Sequence, residues 1–362
     1  MISLQTYNKS QLKELVISER FRQFPFCPIS VHRAQSHISN PAAGDEDTLL
    51  ILAFEQQDLA GYIGILPDMI NKAQQTVKTG WLSTIFVHPG YRGKKIAQQL
   101  LQKACDEYLG HIIITEFTPE AGNMYMKSNL FIPKESLQGR AYYFRSDLHK
   151  ILPVKNKKWS NFKPALKILD DGINAYVKIM HRTSSHAFQK FEIIKSLDEE
   201  SAIFISTNQT YNSFNRNTAE ISWITGYPWI LNRQPYEPAD YQFSAFDKKF
   251  EYVFIKIYTG AVLSTVLMLS VRNGTAKLYF AFGSKGKDAG VSAQILDAYI
   301  RKENISILIS FDQEVNKHLD KIRTLYKKDR QRHFLMHKNL DQVLGNNFGF
   351  NVAAGDGDAV FT

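Results

Sequence analysis

The stretch Ile85-Phe86-Val87-His88-Pro89-Gly90-Tyr91-Arg92-Gly93-Lys94-Lys95-Ile96-Ala97 runs from an apolar strand through a proline-containing turn into an amphipathic helix. Successive backbone N–H groups at such a turn, with the positive end of the helix dipole behind them, form a site for a pyrophosphate. Small residues are needed where phosphates approach, and Gly93 and Ala97 supply them; Arg92, Lys94 and Lys95 add positive charge. The helix is expected over residues 93–108, with Ile96, Leu100, Leu101 and Ala104 on one side.

Working outward, residues 2–6 read as a strand, and Leu12, Leu15, Val16 and Phe21 follow at near-helical spacing. Apolar runs at 48–54, 59–66 and 77–87 suggest an antiparallel meander. After the helix come a strand at 111–117, a short helix at 120–128 and a strand at 140–145. Prolines and lysines at 151–163 lead into a helix over 165–180 that reads as a connection. A second series then repeats the order: strands at 202–207, 252–258, 261–271 and 276–282, a helix at 289–302, a strand at 306–311 and a helix at 313–328. Residue identity between the series is low, so what repeats is architecture.

The loop Val87-x-Pro89-x-x-Arg92-Gly93-x-x-Ile96-Ala97 resembles the acetyl-CoA loop of the GNAT superfamily of N-acetyltransferases, whose usual form is Arg/Gln-x-x-Gly-x-Gly/Ala. Arg92 and Ala97 match, and Lys95 stands at the central glycine position. Downstream, Thr118-Pro-Glu-Ala121-Gly-Asn-Met124-Tyr125-Met-Lys127-Ser-Asn129-Leu130 resembles the family's Asn-x-x-Ala-x-x-x-Tyr-x-x-x-Gly-Phe segment, with Ala121 and Tyr125 in register. The resemblance implies an α+β fold of two GNAT-like domains, each a central, mostly antiparallel mixed sheet flanked by helices. It places an acetyl-CoA-binding domain at 1–150, a linker with a helix at 151–195 and a degenerate GNAT-like domain at 196–362. In the second half, the segment from Ala276 through Gly283-Ser-Lys-Gly286 to Gly290 imitates the first loop without its Arg-x-x-small-x-small residues. Tyr326 falls at a helix position reminiscent of Tyr125.

The same resemblance implies acetyl transfer from acetyl-CoA to a primary amine by direct attack, with the acceptor, a small molecule or peptide, bound between the domains. Phe86, Val87, Arg92, Gly93, Lys94, Lys95, Ile96 and Ala97 would hold the cofactor. A backbone N–H near Val87 would polarise the thioester oxygen. Tyr125 is the candidate acid, because a phenol of ordinary pKa, about 10, stays protonated at neutral pH. Trp81 stands where histone-type relatives carry a glutamate, which leaves Glu116 as the candidate base. Glu220, Trp223 and Trp229 are candidate acceptor-pocket residues, with a core anchor for the aromatics as the alternative. The ending Gly355-Asp356-Gly-Asp358-Ala-Val-Phe-Thr resembles that of some bacterial tandem GNAT-like proteins and otherwise reads as a turn and a last edge strand.

Composition narrows the remaining classes. The 362 residues are 44% hydrophobic and 22% charged, enough apolar surface for folded domains. Two cysteines, Cys27 and Cys105, cannot form a disulfide framework, and with no secretory pattern at the start a cytoplasmic location is expected. No metal is expected either, since two aspartates fall short of a calcium loop and the cysteines lack zinc-ligand spacing. The longest uncharged apolar stretch, 257–271, is short of the ~20 residues that span a bilayer, so no membrane span is expected. The net charge of +9 favours an anionic partner: nucleic acid, a phosphorylated cofactor or an acidic membrane surface. Most of the excess lies beyond residue 150, including Lys321, Arg323, Lys327, Lys328, Arg330, Arg332 and Lys338 against Asp329 alone. That run reads as a solvated helix face and edge strand or as a polyanion patch, and it keeps open a Fem-type aminoacyl transferase using aminoacyl-tRNA. A non-catalytic acyl-CoA-binding protein is the third reading.

Overall fold

The computed structural model describes residues 1–72, 75–180, 189–209, 213–214, 216–232 and 241–361. Its chain divides into two compact units. Unit 1 comprises residues 1–137, 205–250 and 332–362; unit 2 comprises 138–204 and 251–331. Neither unit is one continuous stretch, so the sequential division at 150 and 196 does not follow them, and part of the expected linker, 181–188, lies outside the described residues.

Unit 1 opens with β1 (Ile2–Tyr7) and three helices, α1 (Lys9–Ile17), α2 (Glu19–Arg22) and α3 (Val31–Ile38). Asn8, Ser18 and Ser30 cap them with side-chain oxygens. The meander follows as β2 (Leu50–Glu55), β3 (Asp58–Lys72) and β4 (Gln75–Val87); then come α4 (Ile96–Glu107), β5 (Ile112–Thr115) and α5 (Pro119–Lys127). Next is β6 (Phe131–Tyr143), whose later residues enter unit 2. Apolar residues on both parities of the strands make two cores, as expected of a sheet covered on both faces. Ile51, Ala53 and Ile63 meet Leu100, Leu101 and Ala104 of α4. Leu50, Leu52 and Phe54 meet Leu12, Leu15 and Ala34.

Unit 2 holds the rest of β6, α6 (Leu148–Lys155), α7 (Lys163–Met180), β7 (Phe191–Ile194) and the start of α8 (Glu199–Thr207). Unit 1 then takes α9 (Thr218–Gly226) and a short ladder of β8 (Leu231–Asn232) with β9 (Phe246–Asp247). Back in unit 2 are β10 (Phe250–Thr259), β11 (Val262–Arg272), β12 (Thr275–Phe282), α10 (Lys287–Lys302), β13 (Ile307–Ser310) and α11 (Gln313–Leu319). The chain returns to unit 1 along β14 (Tyr326–His337) and ends with α12 (Lys338–Leu344) and a 3-10 turn, Gly357–Phe361.

Each unit thus has antiparallel strands followed by one parallel pair joined through a crossover helix: β4 and β5 through α4, β12 and β13 through α10. The strand beyond each parallel pair comes from the other half of the chain. Phe334–Met336 of β14 pair with β5, and Arg140–Tyr143 of β6 pair with β13.

Four local expectations are corrected. Residues 202–207 belong to a helix, because Asp198 accepts from the N–H and hydroxyl of Ser201 and starts one; Phe191–Ile194 supplies the strand beside β10. The helix from Gln313 stops at Leu319 instead of running to 328, and Tyr326 begins a strand, its ring 5.5 Å from that of Tyr143. The basic run is therefore no helix face, and its Arg332 is buried. The C-terminal residues form no strand: Gly357–Phe361 is a buried 3-10 turn, with Thr362 outside the described residues.

Candidate active site

The pyrophosphate loop is built by two left-handed residues. Gly93 has φ +84° and Lys95 has φ +59°, so the helix starts at Ile96, three residues later than its apolar spacing suggests. Lys95 occupies the N-cap without a side-chain cap. Among the described residues, the N–H groups of Gly93 to Gln98 meet no protein acceptor; the first N–H bond of the helix runs from Gln99 to Lys95 O. A side chain at Gly93 would meet nothing within 4 Å. Orphan donors at an uncapped helix start fit a pyrophosphate. Arg92 and Lys95 are exposed, whereas Lys94 is held at 2.5 Å by Glu55.

Next to this cradle the two parallel strands separate. Pairing of β4 with β5 ends at Leu82 and Ile114, while β4 continues to Val87 against β3. The separation starts where Ser83 is an extra residue, between the pairs Leu82–Ile65 and Thr84–Gly64. Arg33, buried and 3.6 Å over the Trp229 ring, donates to Ser83 O at 3.1 Å and fixes the bulge. His88 N–H bonds Ala60 O, so strand alternation turns the Val87 N–H away from β3, into the gap left by β5.

Tyr125 sits on α5 with its ring buried between Phe117 and Phe131. Its hydroxyl has no partner among the described residues, and burial with the charge of Asp358 raises its pKa above the ordinary phenol value. Glu116, at the end of β5, adopts φ +52° and its Oε1 lies 2.8 Å from Arg332 Nε. Arg332 also donates to Ala354 O at 2.6 Å, tying the end of β5 to the C-terminal segment.

Asp358 is a buried carboxyl in this neighbourhood that the sequence reading did not connect with Tyr125. Its carboxyl is buried and Oδ1 lacks a hydrogen-bond partner among the described residues. It lies within electrostatic reach of Tyr125, Glu116, Arg332 and Arg33. Burial pushes it up to about 7, with Arg33 and Arg332 opposing and Glu116 adding to the rise. The only signal for it was a carboxylate in an apolar terminal run, Asp358-Ala-Val-Phe361.

Glu220, Trp223 and Trp229 are placed differently. Both indole N–H groups are donated to Ser36, to its O and Oγ at 2.8 and 2.9 Å. Phe361 stacks on Trp229 at 4.4 Å and meets Trp223 edge-on. The two tryptophans are buried and anchor the C-terminal turn. Glu220 closes the capping box of α9 with Asn217. It also belongs to a buried charge cluster in which Arg216 donates to Asp68 (2.6 and 3.0 Å) and Asp356 (2.9 Å). Trp81, under Gly357, donates to Asp68 at 2.9 Å. Asp356 is thus an ion-pair partner of Arg216, and among the described residues no group of side chains has a metal-holding arrangement. Burial raises the thiols of Cys27 to about 11 and Cys105 to about 12, which keeps both protonated.

The parallel pair β4 and β5 thus splays at the head of an uncapped crossover helix. Residues 10–127 match the model of the acetyltransferase (GNAT) family. Whole-chain similarity to solved structures supports the same fold. A GCN5-related N-acetyltransferase from Anabaena variabilis is 14% identical with a TM-score of 0.52, covering 95% of this chain and 74% of its own. A probable N-acyltransferase from Enterococcus faecalis is 9% identical, TM-score 0.51, with coverages of 92% and 72%. Saccharomyces cerevisiae N-myristoyltransferase with bound myristoyl-CoA and inhibitors is 12% identical, TM-score 0.50, with coverages of 92% and 80%. No curated protein matches the chain by sequence.

Proposed function

We propose that the protein is an N-acetyltransferase that takes the acetyl group of acetyl-CoA and passes it to a primary amine of a small molecule or peptide. The observation that carries this reading is the run of free N–H groups from Gly93 to Gln98 opening beside the splay of β4 and β5, with the unpartnered Tyr125 hydroxyl nearby. The cradle would hold the pyrophosphate, with Arg92 and Lys95 contributing charge. The thioester supplies the activated acyl group. Val87 N–H would polarise its carbonyl oxygen, and a neutral amine would attack the carbonyl carbon directly. Tyr125 would protonate the leaving sulfur.

Two carboxylates are available to accept the amine proton. Glu116 is exposed but tied to Arg332; Asp358 is buried and poised near neutrality. A base works best with a pKa near the working pH, so Asp358 is the better match. The tRNA reading gains nothing from Arg332, which is buried against Glu116 and Ala354.

The test is thermal denaturation with acetyl-CoA, coupled to thiol release with a panel of amines. A ligand of the native state must raise the melting temperature. No shift at millimolar acetyl-CoA overturns the cofactor assignment. A shift without thiol release for any amine makes the protein a binding module instead.

A further inference from the structure

We infer that the segment formed by α6, the turn after it and α7 is a docking ridge for an anionic lipid surface. From Leu148 to Leu169 the chain carries six lysines and no acid. Lys150 pairs with Asp147 at 3.2 Å; Lys155, Lys157, Lys158, Lys163 and Lys167 meet no acid among the described residues. Between Leu148 and Ile179, a longer span that adds Asp170 and Asp171, seven large apolar side chains face water: Val154, Trp159, Phe162, Ile168, Leu169, Tyr176 and Ile179, with exposures from 42% for Trp159 to 88% for Val154. Trp159 is the one tryptophan of the four that is exposed.

The arrangement is built into the fold of unit 2. Helix α7 buries Leu166 and Asp170, and the Asp170 carboxylate accepts from the Leu148 and His149 N–H groups and the His149 ring, which fastens α7 to the start of α6. Ile168, Leu169, Tyr176 and Ile179 recur at i, i+1, i+8 and i+11, with Gly172 and Ala175 between them, and form a second apolar stripe on the far side of α7. A helix that is apolar on a second face needs a second covering.

Charge decides among the coverings. A two-fold contact between copies sets the same patch against itself, which brings together two ridges that each carry seven lysines against one exposed acid, Asp171, and repels. An anionic bilayer gains from every lysine and accepts Trp, Phe and aliphatic side chains at its headgroup boundary. Residues 154–165 are all exposed, so this part of the ridge projects. Among the described residues no helix is long and apolar enough to cross a membrane, which leaves surface attachment.

Flotation of the full chain with vesicles of phosphatidylcholine alone, or of phosphatidylcholine with phosphatidylglycerol, tests this. Binding at least about tenfold stronger to the anionic vesicles is expected, weakening as salt rises, with a blue shift of the Trp159 emission. The double variant Trp159→Ala/Phe162→Ala and the triple variant Lys155→Glu/Lys157→Glu/Lys158→Glu should each abolish flotation while keeping the wild-type melting temperature, which shows that they fold. Flotation that ignores lipid charge, or survives both variants, overturns the proposal. So does a lipid-independent dimer that Ile168→Ser/Ile179→Ser dissociates, or capture by an acidic protein without any lipid binding.

Discussion

The heads of the two crossover helices start from the same topology, both with an N-cap residue at positive φ and no side-chain cap, and differ in how far the loop before them closes. At α4 the loop stands open: among the described residues six N–H groups lack acceptors, and Gly93 has empty space around it. At α10 the loop folds on itself, with Lys285 N–H bonded to Gly283 O and Asp288 N–H to Lys285 O. A side chain on Gly283 would meet Ser264 O at 2.5 Å and the Phe204 ring at 2.8 Å, so the space at that glycine is filled, whereas Gly286 at the N-cap has nothing within 4 Å. Asp288 also sets a negative charge in the first turn of α10, where α4 has none. A crossover helix alone is therefore no cofactor site. Among the described residues the contrast is one of degree: Gly286 at the α10 N-cap also has open space and no side-chain cap, but fewer donors there are uncommitted and Asp288 faces them.

The largest way to break this asymmetry is to undo the support under unit 1. Arg216→Ala strands Asp68, Asp356 and Glu220 as buried acids and should destabilise by about 3–5 kcal/mol. A loss of melting temperature together with loss of the acetyl-CoA shift would record it; a variant as stable as the parent would show that the cluster does not hold the C-terminal turn. Tyr125→Phe should lower turnover about 10²- to 10⁴-fold with acetyl-CoA affinity unchanged. Normal turnover would remove Tyr125 from the chemistry.

A sharper contrast compares the loops directly. Arg92→Glu should weaken acetyl-CoA binding at least about tenfold, as charge reversal beside an anion requires, and Lys285→Glu at the α10 loop should leave calorimetric affinity untouched. Equal losses in both would mean that unit 2 also binds. Asp358→Asn should remove a rise in rate through about pH 7, since only the deprotonated carboxylate accepts the amine proton; an unchanged profile returns the role to Glu116.

The last contrast is the pH dependence of stability. Glu220 is raised from 4.5 to about 7 by burial, against the pull of Arg216, and Asp356 from 3.8 to about 6 for the same reasons. Both bind protons more tightly folded than unfolded, so their contribution is complete below the unfolded values. Stability should fall as pH rises from about 4 to 7 and level off above. Glu220→Gln should flatten that fall in denaturant titrations at several pH values; an unaltered slope would exclude Glu220 as its source.

The meander, the crossover helix and its loop were legible because their signals are contiguous: apolar spacing along one strand and one helix, with Gly93 and Ala97 beside basic residues. Errors fell where a distant residue decides. Asp198 turned an apolar run at 202–207 into a helix, and β14 was hidden because a charged run, Tyr326-Lys-Lys-Asp-Arg330, carries no strand alternation of its own. Trp223 and Trp229 advertised an aromatic cluster without saying which way it faced; Ser36, nearly two hundred residues away, turns their N–H groups inward.

By itself, then, the sequence determined the local backbone chemistry of this protein: where a strand ends, that a turn and a helix follow it, and which tyrosine follows on the next helix. Tertiary structure alone decided which carboxylates matter. Arg216 with Asp68 and Asp356, and Asp358 with Tyr125 and Arg332, are brought together from far apart in the chain. The physical reason is that hydrogen bonding at a turn is settled among neighbours, whereas the protonation and pairing of a buried acid depend on every charge that folding carries within its reach.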